Sequence, residues 1–243
     1  LRKDAGFIAA LYGYVSPDGL TWTRLAEPFT VEHSDTQVIA TYNPVRKKYM
    51  IYTRTYFVGP RSPQAPSDPS GMSWLGEARG AGRRSIGMTE SDRFGDFPVS
   101  QIVLSPRPDM SPSQLLYTNA YTTVPGAADQ HLLFPSVWDT SNDATHLELA
   151  TSHDGKLWNW AGGGPLMETA PFGSFDGGCI FWHPNLVERP NGDYILPYTG
   201  YAFPHKYPAR QEAFGQCGGE ARRRIADRRH ASRRQLSPRP LAR

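Results

Sequence analysis

Alternation of polar and apolar residues marks the clearest secondary-structure element of the chain. Residues 146–151, HLELAT, follow this alternating pattern, which predicts a strand with one buried face. Glu148 is predicted to lie on the face opposite its leucine neighbours. The apolar, β-prone run at 131–137 predicts a preceding strand, and the polar residues 140–143 predict the turn between the two. Together they predict a hairpin.

Other segments carry the same strand patterns and are separated by turn residues. No long stretch shows the apolar period of an amphipathic helix. The predicted strands cover 7–15, which is expected to be buried, and 36–42, 49–54, 84–89, 99–106, 113–124, 179–182 and 194–200. Residues 59–84 are rich in Pro, Gly and Ser without periodicity and predict a long loop. The pattern predicts an all-β fold and stops after Pro208.

One sequence motif, S-x-D-G-x-x-W, occurs at residues 16–22 and again at 152–158, with a degenerate form at 90–94. Its Asp and Ser are expected to accept hydrogen bonds from turn amides, its Gly to take a positive φ, and its Trp to pack the hairpin against the next sheet. The spacing between copies leaves room for four strands plus loops, which predicts propeller blades. We therefore assign the aspartates of these turns to structure.

Composition fits a single all-β domain with many turns. The chain has 243 residues, with 23 Gly, 22 Pro and 12% aromatic residues, which is enough for a substantial core. No run approaches the ~18 apolar residues of a membrane helix. No targeting signal is expected before Phe7, and a secreted or periplasmic location stays open if the N-terminus was truncated or processed. Cys179 and Cys217 form neither a disulfide framework nor a zinc site.

The formal net charge of +3 is distributed unevenly along the chain. Residues 210–243 carry ten Arg against three acidic residues, whereas residues 1–208 carry an excess of four acidic residues. We therefore expect a β domain over 1–208 and a disordered basic tail over 209–243. Two interpretations of the tail stay open. It is either an arm that binds polyanions or non-native sequence that a shifted reading frame produced. The composition of the tail favours the second interpretation, so a nucleic-acid partner is not expected.

Five segments of the chain together resemble a known family. In order they are DTQVIATYNPVRKKYMIYTR, FPSVWD, LELATSHDGKLW, FDGG and YILPYTG. They look like the five-bladed β-propeller glycosidases of the invertase, levansucrase and arabinanase type, and more closely like bacterial proteins of the glycosyl hydrolase family 32-like and 43-like groups. The resemblance covers about residues 7–207. It implies a funnel lined by the innermost strand of each blade; about four blades are recognisable, so an incomplete ring is expected.

Glycoside cleavage requires two carboxyl groups on opposite sides of the scissile bond, one ionised and one protonated. Asp35, which precedes a predicted inner strand, is the first candidate for the ionised carboxylate, and Glu148 is the candidate acid. Asp176 lies in Phe-Asp-Gly-Gly, where glycines let backbone approach a ligand, and is a candidate base, nucleophile or ligand of a sugar hydroxyl. The alternatives are a turn or strand-cap aspartate for Asp35 and a solvated edge residue for Glu148.

The candidate substrate-binding residues are aromatic or cationic. Arg54 ends a strand with an otherwise uncharged face and could hold a carboxylate or a sugar hydroxyl. His205 resembles a histidine that these propellers place near the funnel. Tyr117, Trp138 and Trp182 could stack on sugar faces. The alternatives are a surface arginine, a loop histidine and aromatic packing between blades.

The sequence departs from the family in the motifs that carry catalysis. The W-x-N-D-P-N-G, R-D-P and E-C motifs of typical invertases are absent, so no catalytic residue is transferred by motif. The expected function is a glycoside hydrolase or transglycosylase acting on an oligo- or polysaccharide; the alternative is a non-catalytic carbohydrate-binding propeller. No cofactor or metal ligand is predicted, although the acids and carbonyls of such a funnel leave calcium open. Carbohydrate is the expected partner, and the oligomeric state stays open.

Overall fold

The computed structural model describes residues 10–57 and 82–206. By its internal contacts the chain separates into two units, Leu1–Tyr207 and Pro208–Arg243, and every described residue belongs to the first. The described residues form strands, turns and bends without a helix, which confirms the all-β class. Among them there is accordingly no helix of the length and apolarity that a membrane crossing requires. The predictions for the basic tail and for most of the loop at 59–84 lie outside the described residues.

The described residues form seventeen short strands, and every pairing between them is antiparallel. The strands are β1 Leu11–Val15, β2 Thr23–Thr30, β3 Ile39–Asn43, β4 Lys48–Phe57, β5 Arg83–Ser91, β6 Gln101–Leu104, β7 Gln114–Thr118, β8 Thr122–Val124, β9 Ala127–Leu133, β10 Ser136–Asp139, β11 Thr145–Leu147, β12 Ala150–Ser152, β13 Asn159–Trp160, β14 Cys179–Trp182, β15 Val187–Glu188, β16 Tyr194–Ile195 and β17 Tyr198–Tyr201. Most follow the β-prone runs of the sequence and end at its turn residues.

The first complete sheet is a four-stranded meander in the order β3–β4–β5–β6. Its predicted first hairpin is confirmed, with Asn43 paired to Lys48 across the turn. The side-chain oxygen of Asn43 accepts hydrogen bonds from the amides two and three residues on, both at 3.0 Å, and Lys47 takes a φ of 54°. Residues 50–54 of β4 are buried, so this strand is the centre of the sheet.

A second four-stranded meander is divided into two short sheets, β11–β10–β7 and β13–β12–β9–β8. In the first hairpin, β7 pairs with β10 and β8 pairs with β9. The next strand returns in one continuous register, since Leu133 pairs with Ala150 and Ser136 pairs with Leu147. The hairpin that the alternating pattern predicts is therefore confirmed, and β13 adds the fourth strand.

Two further hairpins lie outside these meanders. The 179–201 hairpin contains two pairings, β14 with β17 and β15 with β16. The other hairpin is β1 with β2. The prediction of a buried first strand is wrong for the described part of β1, where Tyr12, Tyr14 and Val15 are exposed. Within the described ranges the sheets form no closed barrel or closed propeller ring.

The repeated S-x-D-G-x-x-W motif folds into the same turn at residues 16–22 and 152–158. Oδ1 of Asp18 accepts hydrogen bonds from the amides two and three residues on, at 2.8 and 2.7 Å, and Oδ1 of Asp154 accepts the equivalent bonds at 2.8 Å each. Gly19 and Gly155 have φ values of 73° and 74°. The predicted turn chemistry is thus confirmed, and the amide donors lower the pKa of Asp18 to about 2.

The tryptophans of the two turns have different surroundings. Trp158 packs edge-on against Tyr52 and Tyr121, with ring centroids 6.1 and 6.4 Å away. Tyr52 also donates a hydrogen bond to the carbonyl of Gly155 at 2.7 Å, so the turn joins the second meander to the first. Trp22 is 59% exposed. The predicted packing on a neighbouring sheet is therefore confirmed for Trp158 and wrong for Trp22 within the described residues.

The main core lies between the two meanders. Met50 and Tyr52 of β4 belong to the same buried cluster as Leu133 and Val137 of β9 and β10. Full burial of side chains of this size contributes roughly 1.5–3 kcal/mol each. A buried polar contact crosses this core as well, because Nδ2 of Asn43 on β3 lies 3.4 Å from Nε2 of His131 on β9. These contacts hold the meanders together and thereby set the position of the site described next.

Candidate functional site

The two meanders and the 179–201 hairpin turn their first strands toward a common space. A cavity of about 400 Å³ is lined by residues 38–41, 121–123 and 184–185. Residues 38–41 open the first meander, and residues 121–123 belong to the first arm of the second. Residues 184–185 belong to the first arm of the hairpin. The first strands of the two meanders and the first arm of the hairpin therefore line one cavity.

The side chain of Gln37 ties these three first strands together. Its Nε2 donates a hydrogen bond to the carbonyl of Trp182 at 3.0 Å. Its Oε1 accepts hydrogen bonds from the amides of Asn119 and Ala120 at 3.2 and 2.5 Å. The side chain of Asn119 donates in return to the carbonyl of Gln37 at 2.9 Å. Gln37 thus uses both ends of its amide to fix three elements at one end of the cavity.

Asp35 lies two residues before Gln37, and its carboxylate forms an ion pair with the guanidinium of Arg54. Arg54 also donates to Nδ1 of His33, which is the acceptor because a guanidinium carries only donors. The amide of Arg54 donates to Oγ of Ser34 at 2.9 Å, so residues 33–35 are held against β4. The side chain of Asp35 is 53% exposed, whereas that of Arg54 is 2% exposed. Two predicted site residues therefore lie together, and the carboxylate is open to a ligand.

Three predicted substrate-binding residues meet in one aromatic cluster. The ring centroids of Tyr117 and Trp138 are 5.5 Å apart, and His205 lies 4.5 and 5.3 Å from them. Phe181 packs against Tyr117 and His205 at 5.6 and 5.4 Å. The indole of Trp138 donates to Asp143 at 3.1 Å and is buried, so aromatic packing describes its main contacts. Tyr117 and His205 are half-buried.

Two cationic side chains cover this aromatic cluster. The guanidinium carbon of Arg84 lies 4.5 Å from the ring centre of Tyr117 and 5.8 Å from that of Trp138. The ammonium of Lys206 lies 4.4 Å from the ring centre of Trp138. Burial lowers the pKa of Arg54, and the positive charge of Arg84 lowers it further, against the opposing effects of Tyr56 and Asp35. Arg84 thus adds positive charge both at the aromatic cluster and in the surroundings of Arg54.

Glu148 lies in a different environment. It is 2% exposed, forms an ion pair with Arg107, and accepts a hydrogen bond from Nε2 of His146 at 3.2 Å. Burial alone would raise the pKa of Glu148, but the hydrogen bonds from His146 and Arg107 outweigh it and leave the pKa lowered. The alternative of a solvated edge residue is wrong, since the second face of this strand is also covered. The role of Glu148 as an acid stays a prediction.

Asp176 and Trp182 lie in a third environment, around Tyr198. The hydroxyl of Tyr198 donates to Oδ2 of Asp176 at 3.0 Å, and Asp176 is buried. Trp182 is also buried and packs edge-on against Tyr198 at 5.8 Å. A Cβ on Gly200 would lie 2.5 Å from that of Asp176, so this glycine permits close packing. Among the described residues, no hydrogen bond or ion pair joins Asp35, Glu148 and Asp176 to one another.

No role was predicted from the sequence for Gln37, Arg84 or Arg107. The two arginines lie in segments without a motif, Arg84 directly after Arg83, and their importance comes from partners that are distant along the chain. Gln37 stood within a predicted strand, and only its position two residues after Asp35 marked it. No group of three or more His, Cys, Asp or Glu side chains in the described part of the chain is arranged to hold a metal.

No protein-family model matches the chain, and no curated protein sequence matches it. Among solved structures, it is similar to an N-acetylgalactosamine deacetylase from F. plautii in complex with blood group B trisaccharide, with 14% identity and a TM-score of 0.41 over 73% of this chain and 49% of the other. It is similar to a protein described as a glycoside hydrolase, with 10% identity and a TM-score of 0.45 over 73% of this chain and 51% of the other. A glycosyl hydrolase from Bacteroides ovatus has 17% identity and a TM-score of 0.42 over 69% of this chain and 44% of the other. The chain spans about half the length of these structures, and likenesses this distant assign neither an activity nor a substrate to it.

Proposed function

We propose that this chain is a carbohydrate-processing protein of the β-propeller type that hydrolyses glycosidic bonds. The observation that carries the proposal is the pairing of a buried arginine, Arg54, with a half-exposed carboxylate, Asp35, two residues before Gln37, whose side chain joins three first strands. Four-stranded meanders whose first strands face a shared space are the building units of a propeller. Five blades around one axis would place this carboxylate at the mouth of a funnel.

Asp35 is suited to the role of the ionised carboxylate. Its carboxylate is held by the ion pair with Arg54, and its exposure leaves an oxygen open to a sugar carbon or to a water molecule. The neighbouring Tyr117 and His205 supply an aromatic wall and an imidazole on the adjacent element. Arg54, Tyr117, Trp138 and His205 therefore form the proposed carbohydrate site around Asp35.

The second carboxyl group is better supplied by Asp176 than by Glu148. A general acid has to carry a proton at the working pH, whereas the contacts with Arg107 and His146 lower the pKa of Glu148. Asp176 is the remaining candidate carboxyl group; it is buried and accepts a hydrogen bond from the hydroxyl of Tyr198. We therefore assign Glu148 to stability, Asp176 to the acid role, and Trp182 to the packing that supports Asp176.

The alternative function is carbohydrate binding without hydrolysis. It is favoured by one observation, that the three candidate carboxylates have three separate sets of partners. In that case the aromatic cluster and its cations would bind the saccharide, and no second carboxyl group would be required. The two functions share a ligand and differ in turnover.

The test is release of reducing ends from a panel of neutral and acidic oligosaccharides, alongside binding measured by calorimetry. Substitution Asp35→Asn is expected to lower turnover by at least about a hundredfold while binding is retained. Asp92→Asn is the matched control, because Asp92 is an exposed carboxylate that pairs with Lys48 at 2.6 Å in a structural turn. Saccharide binding without turnover in the unmodified protein would select the alternative function. Full turnover by the Asp35→Asn variant would contradict the role of Asp35.

A further inference from the structure

We propose that Arg84 binds an anionic group of the saccharide, so that the ligand is an acidic carbohydrate with a carboxylate or a sulfate ester. This inference rests on the proposed carbohydrate function and adds the charge of the ligand. It starts from the hydrogen bonds of Arg84 in the described structure. The guanidinium stacks on Tyr117 but makes no hydrogen bond or ion pair with another described residue, and its Nη1 is buried without an acceptor.

The other shielded arginines of the described residues all have acceptors. Arg46 pairs with Glu90 at 2.8 Å, Arg54 pairs with Asp35, and Arg107 pairs with Glu148. Arg83 donates to three backbone carbonyls. Arg84 is the exception, although it is half-buried as well. A buried donor without an acceptor costs roughly 1–3 kcal/mol, so the position favours any ligand that accepts from it.

The charges around Arg84 leave an excess of positive charge. Asp35 compensates the charge of Arg54, whereas Arg84 and Lys206 on the aromatic cluster form no ion pair with a carboxylate of the described residues. The nearby carboxylate of Asp143 accepts from the indole of Trp138. An anionic group at Arg84 would therefore gain a favourable charge interaction that no ion pair among the described residues supplies.

The chemistry of the site matches a charged sugar rather than a free anion. A guanidinium binds a carboxylate or a sulfate through two parallel hydrogen bonds, and it keeps its stacking contact with an aromatic ring while doing so. Tyr117 and His205 lie beside the cation and offer ring surface to the pyranose that carries the anionic group. Asp35 is paired with Arg54, and we expect a neighbouring sugar unit to reach this carboxylate.

The experiment measures binding of three saccharides by calorimetry: an oligogalacturonate, the same oligomer with its carboxylates reduced to alcohols, and a sulfated oligosaccharide of similar length. The unmodified protein is expected to bind at least one acidic oligomer about tenfold or more tightly than the reduced one, and the preferred acid distinguishes carboxylate from sulfate. Arg84→Gln should abolish this preference, and Arg84→Lys should retain part of it. Arg24→Gln is the control, since Arg24 also stacks on a tyrosine, Tyr12, at 4.8 Å, but on an exposed strand.

The outcomes separate this inference from the proposed function. Equal affinity for the acidic and reduced oligomers, or an acidic preference that survives Arg84→Gln, would overturn the role of Arg84 and leave a neutral carbohydrate site. Failure of all three saccharides and of the neutral panel to bind would overturn the proposed function together with the inference. Arg84→Gln is expected to fold with an unchanged or raised melting temperature, because it removes an unpaired charge. If that variant does not fold, two other measurements test the inference. Arg84→Lys should show a smaller preference for the acidic oligomer than the unmodified protein, and the unmodified protein should lose this preference at high salt.

Discussion

The carboxylate of Asp35 forms an ion pair with the guanidinium of Arg54 in which one partner is open to solvent and the other is closed to it. Arg54 is fixed by β4 and by His33, so the open carboxylate has a defined position without being covered. A carboxylate held in place before a ligand arrives needs little reorganisation when it reacts. This relationship explains why a single acidic residue in a short connector can carry the proposed chemistry.

Replacing Glu148 with Gln is expected to destabilise the fold more than it changes the chemistry at Asp35. Removing one partner of a buried ion pair costs about 3–5 kcal/mol, and because Arg107 is partly exposed we expect about 1–3 kcal/mol at neutral pH. Urea unfolding measures the change. Glu188→Gln, on an exposed strand, is the matched control and should have no effect. Equal stability of the Glu148→Gln variant and the unmodified protein would contradict the structural role.

The effect of Glu148→Gln should depend on pH in a defined direction. The pKa of Glu148 is lowered in the folded state from its usual 4.5, so its contribution is present above about that pH and is lost as the pH falls through the folded value. The stability difference between the variant and the unmodified protein should therefore shrink in acid. A difference that stays constant down to about pH 3 would show that the charge of Glu148 is not its source.

The two copies of the repeated turn provide a matched pair of glycine substitutions. Gly19 and Gly155 have nearly the same φ, so Ala at either position incurs a similar backbone strain of roughly 1 kcal/mol. A Cβ on Gly19 meets nothing within 4 Å, whereas one on Gly155 would lie 2.7 Å from Cε of Met50 and 2.8 Å from the hydroxyl of Tyr52. Gly155→Ala should therefore cost about 1–3 kcal/mol more than Gly19→Ala. Equal losses in thermal unfolding would mean that the second turn does not pack on the first meander.

Gln37→Leu should loosen the contact between the three first strands. The change removes one donor and one acceptor and leaves the carbonyl of Trp182 and two amides without their partner, at a cost of about 1–3 kcal/mol. Hydrogen exchange of the amides of Asn119 and Ala120 measures it locally and should become faster. Gln101→Leu is the control, because Gln101 is exposed and only donates to a carbonyl two residues away. Unchanged exchange in Gln37→Leu would contradict the bridging role.

Stability should fall in alkali through the buried tyrosines. Burial raises the pKa of Tyr121 to about 12 and raises that of Tyr52 well above its usual 10.0. Each contribution is fully present below the unfolded pKa near 10 and is lost as the pH rises toward the folded value. Tyr121→Phe should therefore weaken the loss of stability between about pH 10 and pH 12, while its stability at neutral pH changes less. Tyrosinate absorbance of the folded protein should show a late-titrating group that this variant lacks.

Much of the fold follows from local patterns in the sequence. The hairpin around residues 140–143 follows from alternation on both sides of a polar turn, and the turn at Gly155 follows from its own Asp and Ser side chains. These features depend on residues a few positions apart, so the sequence determines them directly. The burial of β1 was predicted wrongly, since an apolar strand is covered only where another element packs on it, and that is not a local property.

The candidate site was predictable only in part, because contacts between residues that are distant along the chain are not a local property of the sequence. The sequence predicted Asp35, Arg54, Tyr117, Trp138 and His205 as site residues; the structure pairs the first two in an ion pair and packs the other three in one aromatic cluster. It could not indicate that Arg107 pairs with Glu148, because the two residues are 41 positions apart and no pattern links them. The sequence also could not indicate that Nη1 of Arg84 is buried without an acceptor among the described residues, because this depends on residues that are distant along the chain.

The most direct measurement is the structure of the Asp35→Asn variant bound to an oligosaccharide that the unmodified protein cleaves or binds. The expected result is a sugar unit within hydrogen-bonding distance of the side chain at position 35 and of Arg54, with a second unit against Tyr117 and Arg84. A saccharide bound at a distant surface, with position 35 and Arg54 free of ligand, would contradict the proposed site.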